Sequence, residues 1–132
     1  YEAYVKQINI EAKTMIDMAS KQIRPAVVKY AGEIAQAVAA MRSVGLETSA
    51  QEELLWEINE NSSLFHEKLK ALISIAEEAG LQQGESKAQA IFYRDYVFQA
   101  MQELREPADR LEMLMDEKSW PFPTYGELLF HV

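Results

Sequence analysis

The apolar residues Ile8, Ala12, Met15, Ala19, Ile23, Ala26, Tyr30, Ile34, Val38 and Met41 recur in nine steps over 33 residues, 3.67 residues per step. That interval is close to the 3.6 of an α-helix and far from the 2.0 of a strand, so the opening segment is committed to one long amphipathic helix. Pro25 falls inside the run, where it removes an intrahelical hydrogen bond and crowds the carbonyl four residues back. A kink or a break is expected near residues 21–24, and the return of the periodicity on the same face favours the kink. Gly45 is placed to close the helix, because glycine accepts the left-handed backbone common just past a helix end.

A second helix is announced by Ser49-Ala50-Gln51-Glu52, where hydroxyl and carboxylate can each satisfy an orphan amide. Its expected inward stripe is Leu54, Leu55, Ile58, Phe65, Leu69, Leu72, Ile73 and Ala76, interrupted by Asn61-Ser62-Ser63. It should end at about Ala79, before a short loop bounded by Gly80 and Gly84, and short loops make successive helices antiparallel neighbours. A third helix takes up the pattern at Ala88, Ile91, Tyr96, Val97, Met101 and Leu104, then at Ala108, Leu111, Leu114 and Met115. Pro107 is expected to kink it or to start a separate helix. Trp120-Pro121-Phe122-Pro123-Thr124-Tyr125 cannot be helical, since each proline pushes its predecessor towards extended geometry, and a last turn is expected from Thr124 to Glu127. No segment reads as a strand. The fold class is therefore all-α: an elongated up-down-up bundle of three long helices, the first kinked near Pro25 and the third kinked or broken near Pro107, with an aromatic C-terminal tail. Residues 1–132 form a single helical domain in this reading, with 119–132 as a docking tail.

Composition narrows the partners. The 132 residues carry 13 basic and 21 acidic side chains, a net charge of −8, which disfavours nucleic acid and acidic membrane surfaces. With a mean hydropathy of −0.23 and charges spread throughout, no run approaches the roughly 20 apolar residues that span a bilayer. The absence of cysteine excludes thiol catalysis and Cys-ligated zinc or iron–sulfur clusters, and it fits a cytoplasmic location. The chain opens Tyr1-Glu2-Ala3-Tyr4-Val5-Lys6 with helical periodicity already running and no capping residue before it, so it is expected to be a piece of a larger polypeptide.

Chemistry-bearing patterns fail one by one. A bundle-core metal site would pair a carboxylate with a histidine three residues on, but Ser63 stands before His66, which reads as a structural or exposed histidine. His131 lies one residue from the end. Glu52, Glu53, Glu57 and Glu60 fall mostly between the apolar positions and read as a solvated helix face. No phosphate-cradling glycine loop and no nucleophile elbow occurs. Met15, Met41, Met101 and Met115 read as core gap-fillers rather than a binding groove. The rings Phe92, Tyr93, Tyr96 and Phe98 cover more than one helix face, so some serve the core and others meet something outside it. Trp120, Phe122, Tyr125 and Phe130 place four rings in one short stretch. They either fold back as a clasp on the bundle, the favoured reading, or lie against another domain or subunit. The candidate contact set is Tyr93, Arg94, Trp120, Phe122, Tyr125 and Phe130; no catalytic, cofactor-binding or metal-binding residue is assigned.

Several stretches carry a family resemblance. Residues Glu11-Ala12-Lys13-Thr14-Met15-Ile16-Asp17-Met18-Ala19 and Gln22-Ile23-Arg24-Pro25-Ala26-Val27-Val28-Lys29-Tyr30 are joined by Phe92-Tyr93-Arg94-Asp95-Tyr96-Val97 and Ala108-Asp109-Arg110-Leu111-Glu112. With the ending Trp120-Pro121-Phe122-Pro123-Thr124-Tyr125-Gly126-Glu127-Leu128-Leu129-Phe130, they resemble the helical region that follows the catalytic core in type III glutamine synthetases. The resemblance implies a parent glutamate–ammonia ligase that uses ATP and Mg2+ or Mn2+, assembled as a double-ring dodecamer. It implies that the metal, nucleotide and catalytic residues sit in an upstream catalytic domain of the same chain, which would be this region's partner. A structural, assembly or regulatory role follows for the region itself, with no cofactor of its own. The competing reading is a free-standing acidic helical bundle that binds proteins through its aromatic tail.

Overall fold

Backbone amides spaced for helix find their partners along almost the whole chain in the computed structural model, which describes residues 1–81 and 86–123. The elements are α1 (Glu2–Met18), a π-helical turn (Ala19–Ile23), α2 (Arg24–Ser43), α3 (Ser49–Leu81), α4 (Ser86–Phe92), a second π-helical turn (Tyr93–Val97) and α5 (Phe98–Leu114). They make three rods, residues 2–43, 49–81 and 86–114, and no strand occurs among the described residues.

The first irregularity is a π turn at Ala19–Ile23, just before Pro25, where the sequence led to the expectation of a kink or break near residues 21–24. The Arg24 amide donates to the Ala19 carbonyl five residues back, so the turn just before Pro25 is widened rather than terminated. A wider turn absorbs a residue that can neither donate nor tolerate a close carbonyl. The buried face continues through it as Ile8, Ala12, Ala19, Ile23 and Val27.

The third rod departs from expectation twice. A separate helix starting at Pro107 is not found: α5 runs unbroken across that residue, whose ring is fully buried. The carbonyl deprived of its helical donor belongs to Glu103, in a half-exposed position where water can serve it. The irregularity sits instead at the second π turn, where the Phe98 amide donates to the Tyr93 carbonyl. The inward stripe before Val97 also differs, being Ala90 and Tyr93, while Ala88, Ile91 and Tyr96 lie exposed. Because α4 packs on α1, a small side chain at the inward position permits an approach that Ile91 would hold off.

Between the first two rods, Gly45 adopts φ 82°, the left-handed conformation expected of it. Its amide bonds the Arg42 carbonyl and the Leu46 amide bonds the Met41 carbonyl, a paired closure that satisfies the last carbonyls of α2. The cap of α3 is built one residue earlier than Ser49-Ala50-Gln51-Glu52 suggested. The Thr48 hydroxyl donates to Glu52 at 3.0 Å, while Glu47 accepts the Thr48 amide, the Ser49 amide at 3.0 Å and the Ser49 hydroxyl. Thr48 itself is buried, which shields its part-buried bond to Glu52 from competing water. At its other end α3 continues through Gly80 to Leu81, beyond the expected stop.

The core gathers where the rods meet: Ile58, Phe65, Leu69 and Leu72 from α3, Met101, Leu104 and Leu111 from α5, and the α1 face. Asn61, part of the polar interruption, accepts a 2.7 Å bond from Arg110 Nε and donates to the Glu57 carbonyl, tying α3 to α5 across the rim of that core. After Leu114 the backbone becomes extended at Met115, makes one 3-10 turn over Glu117–Ser119, and returns Trp120 into the core.

Candidate functional site

The described surface of the rods includes two mainly apolar concavities. The larger, about 620 Å³, lies between α1 with its π turn on one side and α5 on the other. Its lining is mainly apolar and includes Met15, Met18, Phe65, Met101, Trp120 and Phe122. Arg105, Glu11, Asp109 and Glu112 are among its polar lining residues. The smaller, about 490 Å³, lies on the hairpin of α2 and α3 over Ala31, Gly32, Ala35 and Leu55, next to the exposed Trp56. A Cβ placed on Gly32 would meet nothing within 4 Å, so this second surface is open to the outside.

The six candidate contact residues are not brought to one place. Trp120 is buried and Phe122 half-buried, and their rings meet edge to face with centroids 6.3 Å apart. Tyr93 lies within the core on the second π turn, and burial pushes its phenol above the ordinary tyrosine value. Arg94, on the same turn, is exposed and holds Asp95 at 2.8 Å. That contact raises the Arg94 guanidinium and lowers the Asp95 carboxyl from their usual values, through the hydrogen bond first. Neither Tyr93 nor Arg94 lines the large groove. Tyr125 and Phe130 lie outside the described residues.

The groove itself was not foreseen in the sequence. Met15 and Met101, read as gap-fillers, line it together with Met18. The available signal was a second stripe at four-residue intervals, Ile10, Thr14 and Met18, running beside the buried stripe and broadening the apolar face of α1. A face wider than one neighbouring helix can cover leaves part of itself for something else.

Among the described residues no group of three His, Asp or Glu side chains could hold a metal ion, and no helix is long and apolar enough to cross a membrane. His66 is exposed, and Glu52 of the acidic series is engaged by Thr48 and by Arg42 at 3.5 Å.

Comparison with known proteins places these features in a family context. Residues 1–42 match the model of the glutamine synthetase C-terminal domain. Over 98% of its length the chain is 32% identical to a glutamine synthetase of Butyrivibrio fibrisolvens and 29% identical to a type-3 glutamine synthetase of Dictyostelium discoideum. A glutamine synthetase of Bacteroides fragilis is 27% identical over the same share. The chain spans 19%, 18% and 18% of these three relatives' lengths, about a fifth of each.

Proposed function

Given that the chain belongs with the glutamine synthetase C-terminal domains, we propose that it is a non-catalytic helical module of a type III enzyme of that family. The observation that carries this reading is one of proportion: nearly all of the chain is matched by about a fifth of each relative. The remainder of such a polypeptide would hold the ATP- and metal-dependent amidation of glutamate by ammonia, and this module would act on it from outside the active site. Its roles are packing on the upstream catalytic domain, aiding assembly of a double-ring homododecamer in the cytoplasm, or setting the position of active-site loops.

The physical support is the kind of surface the rods offer. Three helical rods whose described surface carries two mainly apolar concavities support this reading. Such a body contributes shape and buried area to an assembly rather than a reacting atom. The test is removal of this region from the full-length enzyme. Weakened ring assembly, lowered thermal stability or altered kinetics supports the proposal; an enzyme unchanged in all three refutes it. The isolated chain is expected to form no glutamine from glutamate, ammonia and ATP, and activity from it would overturn the non-catalytic assignment.

A further inference from the structure

We propose that the concavity on the hairpin of α2 and α3 is a self-association site, in which Trp56 of one copy of this chain enters the hollow over Gly32 of a second copy. Packing within one chain explains neither residue. Trp56 is 67% exposed, although a ring of that size has the most to gain from burial. Gly32 stands inside α2, where glycine is the least favourable residue after proline, yet a Cβ at that position would meet nothing within 4 Å. No neighbour in the chain uses the space that Gly32 leaves, and no left-handed turn requires its backbone freedom. A close approach from outside the chain accounts for the missing side chain at Gly32 and for the uncovered ring of Trp56 together.

A second copy is the occupant because both halves of the contact stand on this face. Trp56 forms one wall of the hollow over Ala31, Gly32, Ala35 and Leu55, so knob and hollow lie side by side. Under a two-fold axis beside Trp56, each ring enters the partner's hollow, the reciprocal contact of an isologous pair. Among the described residues that line the hollow Glu52 alone is charged, and it is already engaged by Arg42 and Thr48. The face therefore has nothing with which to select a charged partner, and two chains of net charge −8 can meet there without opposing like charges. Val28, 65% exposed, lies one turn before Gly32, and from it to Arg42 the helix rises about 21 Å. Two helices about 10 Å wide over that length make a face of roughly 400 Å², about half of the roughly 800 Å² per partner of a standard interface. The contact is accordingly a weak, reversible dimer rather than an obligate one. It is independent of the enzyme reading above, since both of its surfaces lie in this chain.

The test follows the mass of the 132-residue chain by sedimentation from about 10 μM to about 1 mM, in about 0.15 M salt to screen the net charge. The mean mass is expected to rise with concentration from the 15.1 kDa of one chain towards twice that value. With 5-fluorotryptophan incorporated, the fluorine resonance of Trp56 should shift along the same concentration curve while that of the buried Trp120 stays in place. Trp56→Ala and Gly32→Leu are each expected to weaken association about tenfold or more. Gly32→Leu keeps the fold intact, because leucine favours a helix more than glycine does and the site has room for a side chain, so loss of association in that variant is not loss of structure. A chain that stays monomeric throughout, a dimer whose Trp56 resonance does not move, or association undiminished by Gly32→Leu would each overturn the proposal.

Discussion

The end of the molecule where three rods meet and the hairpin where only α2 and α3 pair obey the same helical periodicity, yet they are held together differently. In the three-rod region Ile58, Leu72 and Leu111 are 0% exposed. On the hairpin Leu55 is half-buried, Val38 sits outside the main cluster, and Trp56 is 67% exposed. A stripe on a helix is an offer of burial that only neighbours can complete, and two rods enclose less than three. What the hairpin lacks in burial it replaces with local geometry: the paired closure at Gly45, the Thr48–Glu52 bond, the Glu47 carboxylate over the first amides of α3, and the Arg42–Glu52 pair.

The sharpest way to break this contrast is to make the same kind of cavity in both regions. Leu111→Ala removes a fully buried side chain from the three-rod core and is expected to cost about 2–5 kcal/mol in urea unfolding. Val38→Ala on the hairpin removes less side chain from a site with fewer neighbours, at an expected cost of about 1 kcal/mol. Equal losses would mean that the hairpin is as fully packed as the rest.

A smaller effect sharpens the other half of the comparison. Gly45→Ala forces a Cβ into the left-handed region, where nothing lies within 4 Å to clash, so the penalty comes from the backbone alone. About 1–2 kcal/mol is expected, at least as much as the Val38 cavity. A Gly45→Ala chain as stable as the parent in the same urea titration would show that closure geometry does not hold the hairpin.

These two regions also differ in how far they could be read in advance. The closure at Gly45 was legible because a left-handed turn selects one residue type, whereas the cap at Thr48 was displaced by one because Glu47 competes for the same amides. The π turn at residues 19–23 was foreshadowed by Pro25, but the one at residues 93–97 has no proline to signal it, and the inward phase before Val97 was misjudged by hydrophobicity alone. At Pro107, where a kink or a separate helix was expected, the separate helix is not found, since α5 runs through that buried residue. The aromatic tail was recognisable from composition, and Trp120 does return to the core. The groove it borders needs two rods placed side by side, information that no single stripe contains.

The smallest expected effect concerns pH and separates the hairpin from the second π turn. The Glu47 carboxyl is lowered from its ordinary value by the Ser49 hydroxyl first and then by the amides of Ser49 and Thr48. Asp95 is lowered by Arg94. A carboxyl depressed in the folded state contributes stability that is present above its unfolded pKa and lost as pH falls through its folded one. Both groups therefore weaken the fold on acidification, starting near the ordinary carboxylate range of roughly pH 4–5. Both are exposed, so screening by water and salt keeps the global change small. Amide exchange resolves the two, because protonating Glu47 frees the amides of Thr48 and Ser49, whereas protonating Asp95 releases only a side-chain pair. Exchange at residues 48–52, corrected for its intrinsic pH dependence, is expected to accelerate on acidification and to lose that response in Glu47→Gln. If Asp95→Asn abolished the hairpin's response instead, the local closure would not be what holds the two-rod end together.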